Sequence, residues 1–157
     1  MNKTGKGNKI YLAYGSNLNL RQMGIRCPYA VPVGPVELRD SRLLFRGHNG
    51  SAVATVEPEA GFTVPSLLWE ITPRDEEALD RYEGWPSFYH KETVSVKLNG
   101  KPVDAMIYIM NDGYPLGKPG KTYLDTILEG YGAAAFQLAP LEEALNHSYT
   151  NSGGGVS

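Results

Sequence analysis

A chain of 157 residues is long enough for one domain with a buried core, and its 15 lysines and arginines against 17 aspartates and glutamates leave a formal net charge of −2. Neither sign is clustered, so there is no basic stripe for nucleic acid and no aromatic–basic interleaving for a single strand. The single cysteine, Cys27, excludes an intrachain disulfide and fits a reducing cytoplasmic setting, while the apolar stretches are too short for a signal-peptide core or a membrane span.

Eighteen glycines and eleven prolines announce many turns and therefore short strands. Residues 1–8 are polar and read as a flexible N-terminus. Lys9–Tyr14 is a strand that stops at Gly15, and a short helix is expected over Leu18–Ile25, ended by Cys27-Pro28. Arg42–Arg46 and Ala52–Glu57 read as two strands joined across Gly47-His-Asn-Gly50, with Ser66–Ile71 as a third, short strand. Thr72-Pro-Arg-Asp75 is a helix start: a threonine cap, proline at the first helical position and an acid to close the box. Ala78, Leu79 and Tyr82 give that helix an apolar face, and Gly84 with Trp85-Pro86 ends it. Glu92–Leu98 and Val103–Met110 alternate across Asn99-Gly100 as a hairpin. Asn111–Gly120 is a Gly/Pro loop suited to a pocket rim, and Thr122–Leu128 and Leu141–Asn146 read as helices with Gly130 and Gly132 interrupting the stretch between them. Residues 149–157 read as a disordered tail. The order of elements over 9–148 is that of one α+β domain with a mostly antiparallel, strongly curled sheet.

Two segments carry the chemistry. In Tyr11-Leu-Ala-Tyr-Gly-Ser-Asn-Leu18 a strand breaks into small polar residues before a helix, which presents backbone N–H groups and short polar side chains to an anion or a polarised carbonyl. The same residues also read as a plain helix cap, with Ser16 or Asn17 accepting from an orphan N–H. In Leu79-Asp-Arg-Tyr-Glu-Gly-Trp-Pro-Ser-Phe-Tyr89, Glu83 falls at a helix C-terminus among Tyr82, Trp85 and Phe88. Partial negative charge at that helix end and desolvation by the aromatics both raise a carboxyl pKa toward neutrality, as a general acid/base requires. The competing reading is an exposed glutamate paired with Arg81 or Lys91. His48, His90 and His147 lack metal-ligand spacing, Cys27 reads as a packed residue, and no P-loop, dinucleotide fingerprint or nucleophile elbow occurs, so neither metal nor cofactor is expected.

The pairing of YGSN near the N-terminus with the YEG acidic turn leading into a strand resembles the gamma-glutamylcyclotransferase family, gamma-glutamylamine cyclotransferases included, from about Lys9 to about Leu145. The resemblance implies a small, barrel-like mixed sheet with helices packed outside. It implies that Glu83 is the catalytic acid/base, that Tyr11, Leu12, Ala13, Tyr14, Gly15, Ser16 and Asn17 line the substrate pocket, and that Tyr123 is the pocket tyrosine; Tyr89 reads either as pocket wall or as strand packing. The implied partner is a small gamma-glutamyl amide that closes to 5-oxoproline, with a homodimer left open. Two other readings stay open: a non-catalytic module that binds a small carboxylate on the same fold, and catalysis directed at gamma-glutamyl amines or at a gamma-glutamyl protecting group on a biosynthetic product.

Overall fold

The computed structural model describes residues 7–151, so most of the expected N-terminal segment and tail lies outside the described residues. The strands are β1 (Lys9–Ala13), β2 (Val31–Arg46), β3 (Val53–Ile71), β4 (Tyr89–Leu98) and β5 (Lys101–Met110). The helices are α1 (Leu20–Arg26), α2 (Pro73–Glu83), α3 (Lys121–Ala134) and α4 (Ala139–Asn151), and a 3-10 turn, Ser16–Leu18, links β1 to α1. Among the described residues no helix is long and apolar enough to cross a membrane.

The strand order is β2-β3-β1-β5-β4, with β1 and β5 parallel and the other neighbours antiparallel. The fold is therefore α+β with a mixed, mostly antiparallel sheet and peripheral helices. The curled, barrel-like sheet expected from the sequence is corrected here: β2 and β4 are the two edges, and no ladder joins them. Closing a sheet requires the outermost strands to pair, and the ladders of β2 and β4 are directed at β3 and β5 alone.

The three separate strands read between residues 42 and 71 are parts of one long ribbon. Pro32, Gly34, Pro35, Pro58, Gly61 and Pro65 look like breaks, yet β2 and β3 run through them. Register shifts at Pro32/Gly34 and Arg39/Ser41 absorb the irregularity, as bulges do on an edge strand. The Asp40 carboxylate accepts from the Gly61 N–H at 3.1 Å across the second of them.

The helix boundaries follow local chemistry. Thr72 Oγ1 accepts from the Asp75 N–H at 3.1 Å and the Asp75 carboxylate accepts from the Thr72 N–H at 3.0 Å, which together satisfy two orphan donors of α2. Gly84 ends α2 in the left-handed region, at φ 71°. Asn99 and Gly100 take φ of 52° and 82°, as a tight hairpin turn requires. Gly130 does not interrupt α3. A Cβ there would stand 2.7 Å from that of Leu18, so the bare backbone lets α3 lie directly on the 3-10 turn. Ile127 and Tyr131 on the same helix, with Leu12, Leu68, Ile71, Leu79 and Ile107, are in the buried core. The core thus locks the end of β1, the start of α3 and the end of α2 around a single point.

Candidate active site

At that point lies a cavity of about 180 Å³. β1 and the chain after it contribute Tyr11, Tyr14, Gly15, Ser16 and Asn17; β3 contributes Val53 and Ala54; α2 contributes Tyr82 and Glu83. Phe88 and Tyr89, Tyr108 of β5 and Tyr123 of α3 complete the wall. Seven of the nine residues singled out from the sequence meet here. Leu12 and Ala13 do not: both are buried in the hydrophobic core beside it. Tyr89 and Tyr123 both line the cavity.

Glu83 is the last residue of α2 and is partly buried. Desolvation pushes its carboxyl up to about 7, with the positive charge of Arg26 pulling the other way. The hydroxyls around it stay protonated. Burial drives the pKa of Tyr11, Tyr14, Tyr89 and Tyr123 upward, and in each case the charge of Glu83 adds to the effect.

The walls are held by hydrogen bonds whose direction can be read. Tyr14 donates to the Tyr108 carbonyl at 2.7 Å, and Tyr89 donates to the Ala54 carbonyl at 2.6 Å. Tyr123 accepts from the Ala54 N–H at 2.9 Å, and Tyr11 accepts from the Asn17 Nδ2 at 2.9 Å. Ser16 Oγ and Tyr82 Oη share a bond of 2.7 Å. The two bonds to Ala54 answer a deficit in the sheet. β1 covers β3 only over Leu67–Ile71, so the first half of β3 has one strand neighbour, and side chains satisfy its other side. On the same strand Thr55 Oγ1 accepts from the Met110 N–H of β5 at 3.0 Å. Gly15 is not left-handed (φ −125°, ψ −126°), and what it supplies is room: a Cβ there would lie 3.2 Å from that of Ala54 and 3.6 Å from the Tyr123 hydroxyl.

Sequence reasoning missed Tyr108, Val53, Ala54 and Arg26 as parts of the site. The first three sit inside ordinary strand patterns and nothing local marks them. Arg26 had a signal in its place on the helix directly after the Gly-Ser-Asn turn, eight residues or more from any motif residue that would have drawn attention to it. A larger depression of about 650 Å³ lies around Glu57, His90 and Asp112, away from Glu83 and the turn. Arg46 there pairs with Glu57, and His90 with Glu92 and Asn111. Among the described residues no group of three or more His, Cys, Asp or Glu side chains could hold a metal ion.

A family model described as "Gamma-glutamyl cyclotransferase, AIG2-like" matches residues 11–130, a span that runs from Tyr11 through Glu83 and Tyr123. The chain belongs to this family. Gamma-glutamylcyclotransferase from Mus musculus is 28% identical over 131 residues, covering 77% of this chain and 69% of the relative. The same-named protein of Bos taurus is 29% identical with the same coverage. A solved structure of a gamma-glutamyl cyclotransferase superposes with a TM-score of 0.78 at 26% identity, over 87% of this chain and 86% of that one. YkqA from Bacillus subtilis, at 21% identity and a TM-score of 0.77 over 92% of this chain and 55% of its own, shares the fold. The family model thus spans all the cavity residues drawn from both sequence motifs, whose separation in the chain is closed only by the tertiary structure.

Proposed function

We propose that this protein is a gamma-glutamylcyclotransferase-type enzyme that cleaves a gamma-glutamyl amide by attack of the substrate's own α-amine, with Glu83 as general acid/base. The observation that carries the reading is the Glu83 carboxyl, raised to about 7 in a cavity otherwise walled by neutral hydroxyls and apolar side chains. A base with that pKa accepts and returns a proton near neutral pH, which contributes roughly 10²–10⁴-fold.

The chemistry needs no protein nucleophile. Ionised Glu83 takes a proton from the α-ammonium, and the freed amine attacks the γ-carbonyl carbon to form a C–N bond and a tetrahedral oxyanion. Glu83 hands its proton to the departing nitrogen as the old C–N bond breaks, and then carries a second proton from the new ring nitrogen to the departing amine. Of the three ammonium protons, one stays on the lactam nitrogen of 5-oxoproline and two finish on the leaving amine, which departs as an ammonium ion. Glu83 ends ionised, as it began. Holding the substrate folded so that amine and carbonyl meet contributes further, up to roughly 7 kcal/mol or more where orientation is ideal. The N–H groups that open the 3-10 turn at Ser16 and Asn17 are the donors for the substrate's oxygens, as the first N–H groups of any helical turn lack internal partners. A cavity of about 180 Å³ is smaller than the ~300–1,000 Å³ that encloses a drug-sized ligand. It suits a gamma-glutamyl moiety held inside with the departing amine toward solvent.

The test is incubation of the protein with a panel of gamma-glutamyl amino acids and gamma-glutamyl amines, with mass spectrometry for 5-oxoproline. The expected result is 5-oxoproline from at least one member and none from the same compound N-acetylated on its α-amine. Release of glutamate in place of 5-oxoproline would overturn internal attack. Tight binding of a panel member without conversion would favour the carboxylate-binding module.

A further inference from the structure

A chain of donors runs from α1 into the cavity. Arg26, the last residue of α1, hydrogen-bonds the Asn17 carboxamide oxygen through Nη1, and its guanidinium lies 3.5 Å from the centre of the Tyr82 ring. Arg26 can only donate, so it dictates which way the Asn17 amide faces: oxygen to Arg26, nitrogen to Tyr11. The amide nitrogen can only donate too, so the Tyr11 oxygen must accept, which it does at 2.9 Å. Tyr11 and Asn17 are 3% and 2% exposed, so water does not readily substitute for either partner. With its oxygen engaged by Asn17, Tyr11 keeps its own proton for an acceptor in the cavity it lines. Tyr14 and Tyr89, by contrast, spend theirs on backbone carbonyls.

We propose that Arg26 is a positioning residue of this site: through Asn17 it sets the polarity of the Tyr11 hydroxyl, so that Tyr11 donates into the cavity where Glu83 and the substrate stand. The inference rests on the functional reading above and extends it to a residue that does not line the cavity. Without Arg26 the Asn17 amide is free to turn over, and its oxygen would then draw the Tyr11 proton away from the site.

Arg26 also acts on Glu83 through its charge. The hydroxyls of other elements that feel the Glu83 charge are those of Tyr11, Tyr14, Tyr89 and Tyr123, and Ser16, Asn17 and Tyr108, with Tyr82 beside Glu83 on α2, complete the polar lining. Behind Tyr108 stands Asp80, which accepts from its hydroxyl at 2.6 Å and pairs with Lys91 at 3.0 Å. Removing the Arg26 cation therefore leaves burial unopposed in raising the Glu83 carboxyl.

Two measurements on the full chain test this: carboxyl titration of Glu83 by carbon-13 NMR, assigned with Glu83→Gln, and kcat/KM on a turned-over gamma-glutamyl compound. In Arg26→Met the Glu83 titration is expected to move upward and kcat/KM to fall roughly tenfold or more, the loss typical of a charge-assisted hydrogen bond. Arg26→Lys restores the titration but only part of the rate, because an ammonium lacks the stacked fork. In a Tyr11→Phe background the Arg26→Met loss shrinks well below its value in wild type, since both act on one hydroxyl. Asn17→Asp, which keeps Arg26 paired yet offers Tyr11 an acceptor, lowers kcat/KM as Tyr11→Phe does, and it carries the test if Arg26→Met does not fold. Single losses that multiply in the double variant, or an unmoved Glu83 titration in folded Arg26→Met, would overturn the proposal. If wild type converts no panel member the functional reading fails, while the titration, which needs no turnover, still decides whether Arg26 governs Glu83.

Discussion

The backbone N–H of Ala54 donates to the hydroxyl of Tyr123 at 2.9 Å, a bond that ties α3 to the half of β3 that lacks a second strand neighbour. Tyr123→Phe keeps the ring and removes the acceptor, so a buried N–H loses its partner. The expected cost is about 1–3 kcal/mol of stability by urea denaturation. Unchanged stability would show that Ala54 has another acceptor within reach.

Glu83→Gln preserves shape and hydrogen bonding but moves no proton. Near-complete loss of 5-oxoproline formation is expected, with binding of the substrate largely retained by calorimetry. In wild type kcat/KM should climb with pH through a limb near 7, where the Glu83 carboxyl ionises. Turnover by Glu83→Gln within tenfold of wild type would make Glu83 a structural residue.

The same carboxyl makes a prediction about stability. Its pKa rises from 4.5 to about 7 on folding, so between those values the unfolded chain holds fewer protons than the native one. Stability contributed through this group is intact below about pH 4.5, falls as pH rises, and levels off above about 7. Glu83→Gln removes the dependence and is expected to be more stable than wild type at pH 8, by roughly 3 kcal/mol at most. Parallel urea titrations of both proteins from pH 4 to 8 measure it, and curves that stay parallel would contradict it.

A side chain at Gly15 would crowd Ala54 at 3.2 Å and the Tyr123 hydroxyl at 3.6 Å. Gly15→Val is expected to lower kcat/KM at least roughly tenfold, as misplacement near the reacting atoms does, with a native circular dichroism spectrum. Because the backbone there is not left-handed, Gly15→Ala should be milder. Equal, normal kinetics in both would return the turn to the role of a plain cap.

Cys27 is buried, its Sγ lies 3.6 Å from the Asp75 carbonyl, and burial pushes its thiol up to about 12. It is not poised as a nucleophile. Activity should survive both Cys27→Ala and exhaustive treatment with a chelator. Loss on chelation that one added metal restores would defeat the mechanism.

Local chemistry made several features readable in the chain itself. The Thr72–Asp75 box, the Gly84 stop and the Asn99-Gly100 turn are each settled by a few neighbouring residues, and the structure has them where the sequence puts them. Glu83 at the end of α2 is legible for the same reason. That the sheet stays open was not, because closure depends on whether two edge strands meet, which no local pattern encodes. The long β2–β3 ribbon was hidden by prolines and glycines that pairing and bulges tolerate. The rest of the cavity belongs to tertiary structure alone. Gly130 admits α3 onto the 3-10 turn and so brings Tyr123 to Ala54, and Tyr108 enters from a strand whose pattern is that of any core. The chain by itself determined which residue types were available and which backbone turns they allow. Only packing decided which of them share a desolvated space, and desolvation is what turns a helix-end glutamate into a carboxyl that titrates near neutrality.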